Sequence, residues 1–213
     1  MNDPYLYPHT DVLKNLAHIH DADMFSQMEA EYTAMRLAEL AAEEPSGQYD
    51  FAGLCEMHRY IFQDIFEWAG KPRAVNIEKP EAALGGISVE YSDCFDIADD
   101  AGRVLQDMNS YPWERGEPAK AAKAFSGFLA GLWKVHPFRE GNTRTIVTFC
   151  CQFMESRGIC MDILLFGANA VYLRTALVAA SAVFSGLGDR RKPEYLERIV
   201  LDAIKNPIDS DAT

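Results

Sequence analysis

His136-Pro137-Phe138-Arg139-Glu140-Gly141-Asn142-Thr143-Arg144 is a polar interruption between the two most apolar helical patterns of the chain. Before it, residues 119–135 carry Phe125, Phe128, Leu129, Leu132 and Trp133 on one helical face; after it, residues 144–157 carry Ile146, Phe149, Cys150 and Phe153. Pro137 prevents the first helix from running on, Gly141 permits a tight backbone path, and either Asn142 or Thr143 can cap the second helix. The segment therefore reads as a loop that ends at a helix N-terminus. Such a terminus offers free N–H groups and partial positive charge to an anion, and Arg144 in the first turn adds a planar cationic fork. Glu140 supplies a hard oxygen of the kind Mg²⁺ prefers beside phosphates, and His136 can accept a proton near neutral pH.

Outward from this loop the periodicity stays helical. Residues 23–44 place Phe25, Met28, Tyr32, Met35, Leu37 and Leu40 at helical spacing, and residues 50–70 do the same with Leu54, His58, Ile61, Phe62, Ile65 and Phe66. Further helices are expected over 94–108, 169–185 and 193–204. Residues 73–91 change character: Val75 and Ile77 alternate with Asn76 and Glu78, Gly85-Gly86 follows, and Ile87, Val89 and Tyr91 recur at spacing two, which reads as a hairpin. The expected class is all-α with one β-hairpin.

The 213 residues carry 20 Lys and Arg against 32 Asp and Glu, a formal net charge of −12. With roughly 150 residues per domain and no linker, one domain over 1–213 is expected, its core about 5–203 and a short polar tail at 206–213. Phosphate-driven binding of long nucleic acids needs clustered Lys and Arg, so nucleic acid is not an expected partner. No apolar run reaches the roughly 18 residues of a membrane span, and the N-terminus lacks the order of a signal peptide, so no membrane partner and a cytoplasmic location are expected. Five cysteines without a C-x-x-C pair suggest neither a disulfide framework nor a zinc site. His18-Ile19-His20 lacks a nearby carboxylate or thiol at ligand spacing, and His58 on its apolar stripe reads as a hydrogen-bonded core histidine.

The nine-residue loop resembles the signature of the Fic (filamentation-induced-by-cyclic-AMP) family, His-x-Phe-x-(Asp/Glu)-Gly-Asn-Gly-Arg, at every fixed position except Thr143, which replaces the second Gly. Tyr7-Pro8-x-Thr10 resembles the family's lead-in. Residues 54–73, with His58, Phe62, Trp68-Ala69-Gly70 and Arg73, resemble its second block, and Asn76-Ile77-x-Lys79 the start of its flap. The resemblance implies a Fic-fold helical bundle with a hairpin flap over the active-site loop, and a protein adenylyltransferase that moves AMP from ATP to a Ser, Thr or Tyr hydroxyl of a target protein, or of itself. It implies His136 as general base, Phe138 as the loop's anchor, and Glu140 as the ligand of Mg²⁺, with Mn²⁺ as the substitute. Gly141, Asn142, Thr143 and Arg144 would bind the nucleotide phosphates, with Lys79 as a nucleotide or target contact and Tyr172, beside Asn169, near the adenine. Val75 and Ile77 would dock the target.

Two departures bear on the donor and on control. Thr143 stands where the family's Gly lets the backbone approach phosphate, and Val147 stands where many members carry a second Arg that reads the terminal phosphate. The (Ser/Thr)-x-x-x-Glu-(Gly/Asn) inhibitory motif is not found: Ser26 precedes Ala30, Thr33 precedes Leu37 and Ser185 precedes Asp189 at that spacing. A separate antitoxin-like inhibitor is one resolution, with a toxin-like chain that is compatible with homo-oligomers and with export as an effector. Alternative readings keep the fold with another nucleotide or a phosphodiester donor, or make the chain a weakened nucleotide- or antitoxin-binding module.

Overall fold

The computed structural model describes residues 3–42, 47–114 and 116–205. The expected end of the first helix at 43–44 and the polar tail at 206–213 lie outside them. Eight helices are described: α1 (Ala22–Ala41), α2 (Phe51–Phe62), α3 (Ile97–Ser110), α4 (Pro118–Val135), α5 (Asn142–Ser156), α6 (Ile163–Ala168), α7 (Ala170–Ala180) and α8 (Glu194–Lys205). The fold is all-α with small hairpins. The central helix is α4, which packs against α3, α5, α7 and α8, while α2 bridges α1, α3 and α5. Its apolar face, with Phe125, Leu129, Leu132 and Trp133, is closed off from solvent, as are Phe149 and Phe153 of α5. Each such side chain contributes about 1.5–3 kcal/mol of transfer free energy. A second apolar cluster joins Val12 and Leu13 of the lead-in to Phe25 of α1 and to Ile61, Phe62, Ile65 and Phe66.

Four expectations are corrected in detail. Helix α2 stops at Phe62 rather than at residue 70. Beyond it the Ile65 carbonyl accepts from the Leu16 N–H (2.9 Å) and the Gly70 N–H donates to His58 Nδ1 (2.8 Å), partners a continuing helix would have withheld. On α1 only Phe25 and Thr33 are buried, while Tyr32 and Met35 of the expected apolar face are exposed. Met28, Leu37 and Leu40 pack with Phe25 as expected, but polar residues share that side, Arg36 pairing with Asp64 (2.7 Å) and Glu29 with Arg144 (2.5 Å). The expected helix at 169–185 is α7 alone and ends at Ala180, giving way to a hairpin of β3 (Val183–Phe184) and β4 (Gly188–Asp189), to which Gly188 contributes a positive φ; the short α6, set off from α7 at Asn169, is not among the expected helices. Cys151, one position off the apolar face that holds Cys150, is buried as well.

The first hairpin is present but shorter than its sequence pattern. Its strands β1 (Pro80–Glu81) and β2 (Ile87–Ser88) pair antiparallel, Pro80 opposite Ser88 and Glu81 opposite Ile87, around a 3₁₀ turn at Ala82–Leu84. Val75 and Ile77 stay outside the ladder because side chains take over their fastening. Buried Arg73 donates to the carbonyls of Val75 (2.8 Å), His136 (2.9 Å) and Ser92, and Asn76 bridges to Asp93 (2.7 Å) and to the Cys94 N–H (2.8 Å). Replacing Arg73 by Met strands three carbonyls, each costing about 1–3 kcal/mol if buried without a partner. Urea denaturation of Arg73→Met should show a loss of about 3 kcal/mol, and Arg73→Lys should recover only part, because one ammonium cannot span the fork.

Candidate active site

The loop between α4 and α5 is held closed by its own residues. Asn142, buried at the start of α5, accepts from the Phe138 N–H (Oδ1, 2.9 Å) and returns a bond from Nδ2 to the Phe138 carbonyl (2.7 Å). It does not cap the helix, and neither does Thr143: the N-cap is Gly141, without a side-chain bond. Thr143 Oγ1 accepts from the Trp133 indole (2.9 Å), which turns its side chain toward α4. Phe138 is fully buried against His58 (ring centroids 3.8 Å), and His58 stacks in turn on Phe62 (4.7 Å).

His58 fixes the loop from beneath. Its Nδ1 accepts from Gly70, so Nε2 carries the proton and donates to the Glu140 carbonyl (3.1 Å). Burial pushes its pKa down to about 4, so the ring is neutral. The core-histidine reading of His58 is thus matched, with an added role in positioning Glu140. Gly141 adopts φ +79°, and a Cβ there would lie 2.2 Å from Phe62 Cζ, so this position excludes a side chain on two counts.

His136 ends α4 in the left-handed conformation (φ +51°) and is 1 % exposed. Its Nδ1 faces the Trp133 carbonyl at 3.3 Å; a carbonyl only accepts, so the proton sits on Nδ1 and the lone pair on Nε2. Nε2 has no partner among the described residues. Burial first, then Lys79, lowers the imidazole well below its ordinary pKa. The Tyr91 ring covers it at 4.1 Å.

Two ion pairs fill the mouth of the loop. Glu140 Oε2 meets Lys79 Nζ at 3.0 Å, while Oε1 accepts from the Gly141 N–H (3.0 Å). Burial raises the Glu140 pKa, but Lys79, the Gly141 N–H and Arg144 outweigh it and hold the carboxyl at about 2. Arg144 lies over the Phe62 ring (4.9 Å) and is bound by Glu29 (2.5 Å) and Thr33 (3.1 Å) of α1. The first bond within α5 runs from the Thr145 N–H to the Gly141 carbonyl, which leaves the N–H groups of Asn142, Thr143 and Arg144 without helical partners.

His136, Phe138, Glu140, Gly141, Asn142, Thr143, Arg144 and Lys79 therefore meet in one place. Ile77 lines a slot beside the flap and Val75 sits at its base. Tyr172 is apart: its hydroxyl donates to the Tyr195 carbonyl (3.2 Å), and with Asn169 it lines a separate cleft of about 230 Å³. Sequence reasoning missed Arg73, Tyr91 and Glu29. Arg73 stands only at the end of a resembling block, directly after Gly70-Lys71-Pro72, and Glu29 stands four residues before Thr33; neither position shows its role until its partners are known.

A family model, Fic/DOC, matches residues 48–154, which hold the whole loop and the flap. The chain belongs to the Fic/DOC family. It is 35% identical over 164 residues to a probable protein adenylyltransferase, y4lH, of Sinorhizobium fredii, covering 76% of this chain and 80% of that one. It is 32% identical over 162 residues to the protein adenylyltransferase VbhT of Bartonella schoenbuchensis, covering 76% of this chain but 32% of VbhT, so it spans about a third of that relative's length. Its fold matches that of the Bartonella tribocorum effector BepC, solved with bound AMPPNP, at a TM-score of 0.74 and 20% identity over 93% of this chain and 95% of that one.

Membership makes the Gly141 constraint testable. Gly141→Ala should lose about 2–4 kcal/mol of stability, combining overpacking against Phe62 with the cost of a left-handed alanine. Thermal unfolding would register this as a lowered midpoint; an unchanged midpoint would show that Phe62 swings away freely.

Proposed function

We propose that the chain is a protein adenylyltransferase that transfers AMP from ATP to a hydroxyl side chain of a target protein. The observation that carries the reading is the fixed tautomer of His136: a neutral imidazole with its lone pair on Nε2, set in a loop that opens onto a helix N-terminus. In the reaction the target oxygen bonds to the α-phosphorus, its proton passes to His136 Nε2, and the bond to the bridging oxygen breaks to release pyrophosphate. Phe138, clamped by Asn142 and His58, keeps His136 aimed.

Glu140 suits a divalent cation. It is ionised, about a third of its side-chain surface is accessible, and a cationic ammonium already rests on one oxygen. No cluster of three or more His, Cys, Asp or Glu that could hold a metal is found among the described residues, so phosphates and water would complete the ligand set of Mg²⁺. When bound there, Mg²⁺ would offset charge on the leaving pyrophosphate. Gly141 and the N–H groups of Asn142 and Thr143 would cradle the phosphates, Arg144 would exchange Glu29 for outer phosphate oxygens, and Lys79 would leave Glu140 for nucleotide or target. The resemblance would put the adenine near Asn169 and Tyr172, but these line a cleft apart from the loop, so the phosphate contacts and not Tyr172 carry the reading. The Thr143 side chain, turned to Trp133, stays out of the cradle's path.

A donor without a terminal-phosphate requirement is the second reading, favoured because Val147 is packed into the core and offers no cation. Incubation with Mg²⁺ and ATP labelled at the α-phosphate should label protein, and His136→Ala should cut the rate by about 10²- to 10⁴-fold. Equal labelling by both would remove His136 from its role, and label from another donor alone would establish the second reading. Lys79→Met should raise nucleotide-free Mn²⁺ affinity by about tenfold, roughly 1.4 kcal/mol, in paramagnetic resonance titrations. Unchanged affinity would mean that the ammonium does not compete with metal.

A further inference from the structure

Between the flap's two approaches, residues 76–78 and 86–93, runs an open slot of about 910 Å³ closed at one side by Phe184 of the second hairpin. Because the ladder covers only two residue pairs, these approaches lie side by side without backbone pairing between them. Apolar surface comes from Ile77, Ile87 and Phe184, with Ile87 46 % exposed. At the inner side Tyr91 lines the slot, its buried hydroxyl without a partner among the described residues and its ring stacked on His136.

The charge of the slot has one sign. Glu78, Glu90 and Asp93 line it, all three exposed, and neither Lys nor Arg does. Two of these carboxylates are fixed. Glu90 accepts from the Ser185 N–H and hydroxyl (both 2.9 Å), and Asp93 accepts from Asn76 (2.7 Å) and the Phe95 N–H (3.0 Å). The Phe95 N–H first, then Asn76, holds the Asp93 pKa below its ordinary value. Lys79, next along the chain, spends its ammonium on Glu140. Arg103 and Lys134 line an adjoining cleft that shares Glu90, Tyr91 and Ser92 with the slot, but neither lines the slot itself.

We propose that this slot docks an extended, basic segment of the target protein, with Lys or Arg side chains on Glu78, Glu90 and Asp93 and a neighbouring hydroxyl delivered past Tyr91 to His136. The proposal rests on the transferase reading and adds the chemistry of its protein substrate. Fixed carboxylates of one sign select partners of the opposite sign and repel acidic ones, while an extended segment gains main-chain bonds from unpaired strand-like backbone. At about 3.3 Å per residue, the run from Ile87 to Tyr91 accommodates some five residues, enough to read charges on both sides of one hydroxyl.

The test measures binding without nucleotide. Two fluorescent pools of twelve-residue peptides, each with a central Ser, Thr or Tyr and otherwise randomised, carry either Lys or Glu at the two positions flanking the hydroxyl on each side. Anisotropy should show the Lys pool bound at least about tenfold more tightly, and less so as salt rises. The double variant Glu78→Lys/Glu90→Lys should reverse the preference, with Glu78→Gln/Glu90→Gln intermediate; reversal excludes simple misfolding. Equal binding of the pools, preference for the Glu pool, or indifference to the charge swap would overturn the proposal. So would a dimer in sedimentation that the double variant abolishes, since a second copy would then own the slot. Preferential Lys-pool binding with no labelling by any donor would count against the transferase reading alone.

Discussion

A single buried guanidinium ties the two functional halves of this protein together. Arg73 reaches the His136 carbonyl with one arm and the flap's two feet, at Val75 and Ser92, with the others, while its own N–H donates to the Pro137 carbonyl (2.8 Å). Burial pulls its pKa below the ordinary value, yet a guanidinium stays charged at neutral pH, so its donors must all find oxygens. The flap's feet and the loop that carries His136 are consequently fastened to the same side chain. Any motion of the hairpin has to begin beyond Asn76 on one side and before Ser92 on the other.

Around that tie the loop is over-determined. Asn142 closes it on itself, His58 holds the Glu140 carbonyl from below, and the Phe62 ring fills the space that any residue but glycine at 141 would need. His136 is left-handed without being glycine, a conformation that costs about 1–2 kcal/mol and persists only where the surroundings insist on it. The apolar packing of α4 and α5 supplies that insistence. Trp133 serves both sides: its ring belongs to the core and its indole N–H fixes Thr143.

The helices of the core were legible because their periodicity is strong. The patterns at 119–135 and 144–157 become Pro118–Val135 and Asn142–Ser156, shifted by no more than two residues at any end. The nine-residue loop was legible because its chemistry is dense and local. What stayed hidden depends on pairs far apart in sequence: Arg73 with His136, Glu29 with Arg144, Lys79 with Glu140. No period or motif announces such partners. The same blindness explains the flap, where alternation at Val75 and Ile77 imitates a strand whose hydrogen bonds Arg73 and Asn76 have already taken, and α1, where Glu29 and Arg36 sit beside the packed Phe25, Met28, Leu37 and Leu40 to answer Arg144 and Asp64.

The paired charges at the loop's mouth make the resting centre electrically quiet. Lys79 cancels Glu140 and Arg144 cancels Glu29, inside a chain whose formal charge is −12. An arriving polyanion therefore meets no standing positive field; it has to trade partners, and each cation it captures leaves a carboxylate behind. Discrimination then falls on whatever can settle an abandoned carboxylate as it binds. Under the reading proposed above, a ligand that carries its own divalent counter-ion would do this for Glu140, whereas a bare phosphate of equal size would leave it unsatisfied.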